Sequence, residues 1–109
     1  MINTVYNALK DLNVPVKYLI RPDAPTSITF SFISIAGEVF ADDKELETNY
    51  ILQVDVWTQG QLEETLNEQV KQKLINIEYI RSVEFDMYEA DTKIYHKVLR
   101  FNCLKNIEE

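Results

Sequence analysis

Residues 48–57, TNYILQVDVW, alternate in the manner of a β-strand: Tyr50, Leu52, Val54 and Val56 share one face, and Ile51, Gln53, Asp55 and Trp57 share the other. One face is wholly apolar, so this strand must lie against a packed layer. Immediately downstream, Thr58, Gln59 and Gly60 break the strand, and Leu62, Leu66, Val70 and Leu74 then recur every four residues with Glu63, Glu64, Glu68, Lys71 and Lys73 between them. That spacing predicts a surface helix over about 60–75, acidic in its first half and basic in its second, as the helix dipole favours. Its apolar stripe is the natural cover for the apolar face of the strand.

Working outward, residues 27–35, SITFSFISI, mix β-branched and aromatic residues, with Ile28, Phe30 and Phe32 on one side and Thr29, Ser31 and Ile33 on the other. Ala36 and Gly37 permit a turn. Glu38, Val39 and Phe40 either pair back as a brief hairpin or enter a flexible acidic loop spanning about 38–47, which carries Asp42, Asp43, Lys44, Glu45 and Glu47. Towards the N-terminus, Ile2, Val5, Tyr6, Leu9 and Leu12 fall at helical intervals, and Asn13 with Pro15 supplies the stop. A brief extended run follows, Val16 to Ile20, closed by Arg21, Pro22, Asp23 and Pro25. Towards the C-terminus, residues 79–88 place Val83, Phe85 and Met87 on one side. Residues 93–104 alternate Tyr95, Leu99, Phe101 and Cys103 against Ile94, His96, Val98 and Arg100. The polar turn Glu89 to Thr92 makes these two runs an antiparallel hairpin, and about 105–109 reads as a short polar tail. The expected fold is α+β: one domain over 1–109, a two-layer sandwich of a mostly antiparallel, or mixed, sheet with two helices on one face.

The composition fits an ordinary globular domain of 109 residues, 46% hydrophobic and 27% charged. A formal charge of −7 repels phosphate and argues against tight nucleic-acid binding. Cys103 is the sole cysteine, which excludes an internal disulfide and leaves no zinc-like cluster. The N-terminal residues have no signal-peptide pattern and no run is long enough for a membrane span, so the expectation is folding in a cytoplasm.

Catalytic chemistry finds little to work with. There are two glycines, one histidine and one cysteine, and no phosphate-binding loop, nucleophile elbow or metal motif. His96 could act as an acid or base with Asp86 or Asp91, but no nucleophile is placed to partner it, and it reads as a satisfied strand histidine. Cys103 reads as a small apolar filler. The carboxylates cluster at Asp42, Asp43, Glu45 and Glu47 and again at Glu84, Asp86, Glu89 and Asp91; both clusters read as solvated faces or as contacts for basic partner surfaces. Trp57 reads either as packing beneath the second helix or as an exposed aromatic anchor in a subunit interface.

Two stretches, FADDKELETNYILQVDVWTQG at 40–60 and YEADTKIYHKVLRF at 88–101, resemble the tail-terminator, or tail-completion, proteins of long-tailed bacteriophages and prophages. That resemblance implies a structural subunit and not an enzyme, with no cofactor and no catalytic residue to carry over. It implies a ring, usually a hexamer, on the end of the tail tube, with tube protein on one side and the head connector on the other. DNA would pass through without specific binding, no membrane would be involved, and the protein would reside at the head-tail junction of the virion. The acidic segment Asp42, Asp43, Lys44, Glu45 and Glu47, together with Trp57, becomes the expected partner interface. A head-completion or other neck component, or a small cytoplasmic regulatory or ligand-binding α+β domain, would share the same size, acidity and lack of chemistry.

Overall fold

A computed structural model of the chain describes residues 1–41, 44–61 and 64–106. Helix α1 (Ile2–Leu9) runs into a tight turn at Lys10–Leu12 and stops at Asn13, which takes the left-handed conformation with φ of 63°. Asparagine tolerates that geometry better than most side chains, and Pro15 prevents the helix from resuming. Strands β1 (Val16–Tyr18), β2 (Ser27–Ala41) and β3 (Lys44–Gln59) follow, then α2 (Glu64–Ile75), β4 (Ile80–Glu89) and β5 (Ile94–Asn106).

The five strands form one sheet in the order β1-β2-β3-β5-β4, with β1 parallel to β2 and every other pair antiparallel. The fold is therefore α+β, as expected, with a mixed sheet and both helices on one side. Val5 and Leu9 from α1 and Leu66, Val70 and Leu74 from α2 join a single buried cluster with Ile28, Phe30, Leu52, Val54, Val56, Leu99 and Phe101. These are the helix-side rows of β2, β3 and β5, brought into line by the pairs Phe30↔Val54 and Val54↔Leu99.

The end of α2 shows how local geometry aims the chain. Glu78 lies at φ of 72°, its amide bonds back to the Ile75 carbonyl at 3.0 Å, and the Tyr79 amide reaches the Leu74 carbonyl at 3.0 Å. This pair of bonds is a Schellman cap with glutamate at the left-handed position that glycine usually fills. The reversal drives Tyr79 into the core, where burial pushes its phenol well above the ordinary range.

Four expectations need correction. The segment 38–47 is not a loop in its described part: residues 38–41 finish β2 and residues 44–47 begin β3, paired through Val39↔Glu47, Phe40↔Glu45 and Ala41↔Lys44. Backbone pairing inherited from the long registered strands outweighs the like charges, and the Glu45 carboxylate is held by the Thr48 hydroxyl. Asp42 and Asp43 lie outside the described residues. The C-terminal segment is likewise strand as far as Asn106, which pairs with Glu47. The first strand ends at Tyr18 and not at Ile20, since Leu19 turns left-handed at φ of 69°. Gly60 and Gln61 precede α2, whose described part runs from Glu64, and Leu62 and Glu63 lie outside the described residues.

The molecule measures 53 × 26 × 21 Å, and its long dimension is that of β3, whose 16 residues extend about 53 Å at the usual rise per residue. The helices cover the half that contains Leu52 to Val56. The other half is a projecting arm formed by the ends of β2, β3 and β5. If α2 seals the core as described, Leu66→Ala should cost about 2–4 kcal/mol in urea unfolding.

Candidate assembly surfaces

The residues singled out in the sequence do not form one site. Lys44, Glu45 and Glu47 sit on the arm, whereas Trp57 lies 13 residues along the same strand from Lys44, about 43 Å away. On the arm, Lys44 is exposed, and the Thr48 hydroxyl donates to the Glu45 carboxylate. Gly37 opposes Thr48, and the Glu45 and Phe40 side chains close over it so tightly that a Cβ there would stand 2.6 Å from each. Phe40 itself is 60% exposed and Leu46 41%, so the arm carries apolar surface among its charges.

Trp57 is not beneath α2. It belongs to the opposite row of β3, on the sheet face without helices, where it stacks on His96 with ring centroids 3.7 Å apart and planes 14° from parallel. Its indole N–H donates to Thr29 Oγ1 at 3.1 Å, and the Arg21 guanidinium lies 4.3 Å from the ring centroid. The cross-strand register Ser27↔Trp57↔His96 brings these groups together.

At the centre of this open face stands Asp55, only 8% exposed. Its carboxylate meets His96 Nε2 at 2.7 Å and accepts from Gln53 Nε2 at 3.1 Å and from Thr29 Oγ1 at 3.5 Å. Arg100 Nε donates to Gln53 Oε1 at 2.9 Å and extends the chain of polar contacts across β5. Burying a carboxylate is costly unless its lone pairs are occupied, and here neighbouring strands occupy them. The partner of His96 is thus Asp55, not Asp86 or Asp91. No serine or cysteine bonds to His96 among the described residues, so the arrangement is a brace across β2, β3 and β5. The sequence shows Asp55 as an outward polar residue in an apolar strand, but only the register reveals its partners.

The second carboxylate cluster divides. Glu84 turns to the helix side of β4 and meets Arg81 at 2.8 Å, Lys71 at 3.2 Å and Lys97 at 3.3 Å. The Arg81 hydrogen bond, opposed by partial burial and reinforced by Lys71 and Lys97, lowers its pKa to about 2. Asp86 makes a looser contact with Lys97 at 3.3 Å, while Glu89 accepts from Thr92 in the hairpin turn. The apolar row of β4 is another departure from a simple inside-outside reading: Val83, Phe85 and Met87 lie exposed on the open face at the sheet edge. Cys103 is buried in the core, which raises its thiol pKa and leaves it a packing group.

No helix among the described residues is long and apolar enough to cross a membrane. Comparison with protein-family models finds no match, and comparison with curated proteins finds no similar sequence.

Two measurements check this account. Asp55→Ala should cost about 1–3 kcal/mol in urea unfolding by leaving His96, Gln53 and Thr29 without their acceptor, whereas Lys44→Ala should change stability by less than about 0.5 kcal/mol. Because the folded pKa of Glu84 lies below its ordinary 4.5, its stabilisation is complete above that value. It is lost as pH falls towards about 2. The full shift corresponds to about 3 kcal/mol, and solvent screening of a side chain 23% exposed reduces it to about 1–2 kcal/mol. Glu84→Gln should remove that much stability at pH 7 and flatten the acid limb of the stability curve between pH 4.5 and 2.

Proposed function

We propose that this chain is a structural subunit that closes the end of a phage tail tube as an oligomeric ring and joins the tail to the head connector. The supporting observation is the projecting arm: a paired extension of β2, β3 and β5 beyond the helix layer, carrying exposed Phe40 and Leu46 among acidic residues. A protein that needs only a stable core gains nothing from such an extension, because it adds surface without adding to the buried cluster. Projecting arms serve contact with another chain. The two stretches that resemble tail-terminator proteins map onto this same framework, residues 40–60 covering the arm and β3 and residues 88–101 covering the β4–β5 turn and most of β5.

A ring closes through heterologous contacts, which require two different surfaces on each subunit. The arm and the helix-covered body are two such surfaces, at opposite ends of the long axis. The formal charge of −7 is also suited to a channel wall that passing DNA does not adhere to. Tube protein and head connector would then dock on the two rims of the ring.

Deleting the gene from its phage should leave DNA-filled heads beside unattached, overlong tails in electron micrographs of lysates. Reversing Asp42, Asp43 and Glu45 to lysine should reproduce much of that defect, since interface charges set partner choice, with far-UV circular dichroism separating this from loss of the Glu45–Thr48 contact. Normal joined virions from the deletion, or empty heads with normal tails, would refute the assignment.

A further inference from the structure

Strand β1 covers only the first part of the outer side of β2. The two are paired from Val16↔Ile28 to Tyr18↔Phe30, and the chain then turns away at Leu19, with φ of 69°. From Ser31 to Ala41 the outer side of β2 has no strand partner among the described residues. The register shows which backbone groups are left over. The Ile28 amide donates to the Pro15 carbonyl at 2.8 Å and the Phe30 carbonyl accepts from the Leu19 amide at 2.9 Å, so the even-numbered residues turn outward here. Ile33 is an extra residue between the pairs Phe32↔Leu52 and Ser34↔Ile51, and it shifts the outward set to Ile35 and Gly37, opposite Tyr50 and Thr48. Their N–H and C=O groups point away from β3, along a regular run of residues 34–37 between two irregularities.

We propose that this edge pairs antiparallel with the same edge of a second copy of the chain, across a two-fold axis at Ala36. The vacant groups fix that register. Ile35 meets the copy's Gly37, Gly37 meets the copy's Ile35, and each pair closes two N–H to O=C bonds. The free stretch is bounded by β1 at one end and by the end of β2 at the other, so Ser31 falls opposite the copy's Ala41 and neither arm runs into β1. The same register brings exposed apolar side chains together. Ile35 is 57% exposed and Phe40 60%, and the Phe40 ring lies over Gly37, 2.6 Å from where a Cβ would stand. Ile35 of each copy therefore comes to rest beside Phe40 of the other, twice across the axis. A foreign strand would have to bring an apolar side chain to that position, whereas an identical copy carries one in place. Charge points the same way: Glu38 is the only charged residue from Ser31 to Ala41 in a chain of formal charge −7, whereas the β4 edge carries Glu84, Asp86 and Glu89. Two acidic copies approach with least repulsion through their least charged strand. An isologous contact closes at two copies, so it stands apart from the head-to-tail contacts of a ring and does not rest on the ring reading.

Sedimentation and thiol cross-linking test the contact. Ile35→Pro removes an outward amide that β3 does not use, a change an edge strand accepts, and far-UV circular dichroism and thermal melting check that it folds as the parent does. Ala36→Cys sets two thiols across the axis, where facing Cα atoms of a non-hydrogen-bonded pair stand about 4.5 Å apart, within disulfide reach. Met87→Cys, at a position 52% exposed on β4, is the control for random oxidation. The unaltered protein should pair reversibly, and folded Ile35→Pro should be monomeric. Under mild oxidation Ala36→Cys should become a covalent dimer at least about tenfold faster than Met87→Cys, because pairing raises the effective concentration of its thiols. An unaltered protein that stays monomeric at its solubility limit overturns the proposal, even if the edge takes up a strand from another protein. So does a folded Ile35→Pro protein that associates like the parent, or an Ala36→Cys protein that cross-links no faster than the control. If Ile35→Pro fails to fold, the cross-linking comparison decides. If Ala36→Cys cross-links but the gene deletion gives normal joined virions, this contact stands and the ring reading falls. If tail tubes acquire their ring while Ala36→Cys does not cross-link, the ring reading stands and this contact falls.

Discussion

Strand β3 is hydrogen-bonded along both edges, to β2 from Lys44 to Trp57 and to β5 from Glu47 to Gln59, and this double pairing commits its two side-chain rows to opposite faces. A slip of one residue would carry Leu52, Val54 and Val56 to the open face and bring Gln53, Asp55 and Trp57 under the helices. The apolar row therefore dictates register for three strands at once. Once that register holds, the position of each helix follows, since Val5, Leu9, Leu66, Val70 and Leu74 have one uncovered apolar surface to meet.

The same register assembles the open face. Thr29, Asp55 and Val98 fall opposite one another, as do Ser27, Trp57 and His96. A sheet with water on one side ordinarily leaves that side to scattered polar groups, yet Asp55 and Val98 are almost fully buried there. The covering comes from the long side chains of the face itself: Trp57 stacked on His96, Arg21 over the indole, and Arg100 above Phe85. Polar contacts so arranged cost little desolvation, and they tie β2, β3 and β5 together without a second helix layer.

Most of the fold was legible because its signals are local. The period-two alternation of 48–57, the four-residue spacing of Leu66, Val70 and Leu74, and the Asn13-Pro15 stop each carry their own physical cause. The arm was not legible, because charge density around Asp42 to Glu47 mimics a solvated loop when pairing partners are unknown. Continued pairing with β2, from the register set further along the sheet, carries such charges into strand, with the Glu45 carboxylate held by the Thr48 hydroxyl. Trp57 and His96 failed for the complementary reason: each strand pattern shows which face they share, but not that Asp55 lies beside them. The exposed row Val83, Phe85 and Met87 shows the same limit, for alternation identifies an apolar side without saying whether anything covers it.

The two edges of the sheet differ in what they offer an added strand. On β4, the edge strand, Glu84 and Asp86 occupy the helix-side row and are held there by Lys71, Arg81 and Lys97. Charges fixed along an edge, with the register shift between Arg81 and Val83, discourage another strand from adding to it. The opposite edge is β1 only as far as Phe30; beyond that, β2 from Ser31 to Ala41 has no strand partner on its outer side among the described residues. Strand addition is thus discouraged along β4, whereas along the outer side of β2 only the register shifts at Phe32/Ser34, Gly37/Val39 and Val39/Phe40 interrupt the template. Discrimination between partners then comes from side-chain surfaces, which act by shape and charge in a way that backbone pairing does not. The arm offers both kinds of surface: β2 and β3 pair with each other there, the outer side of β2 stands without a strand neighbour among the described residues, and Phe40 and Leu46 are exposed beside it.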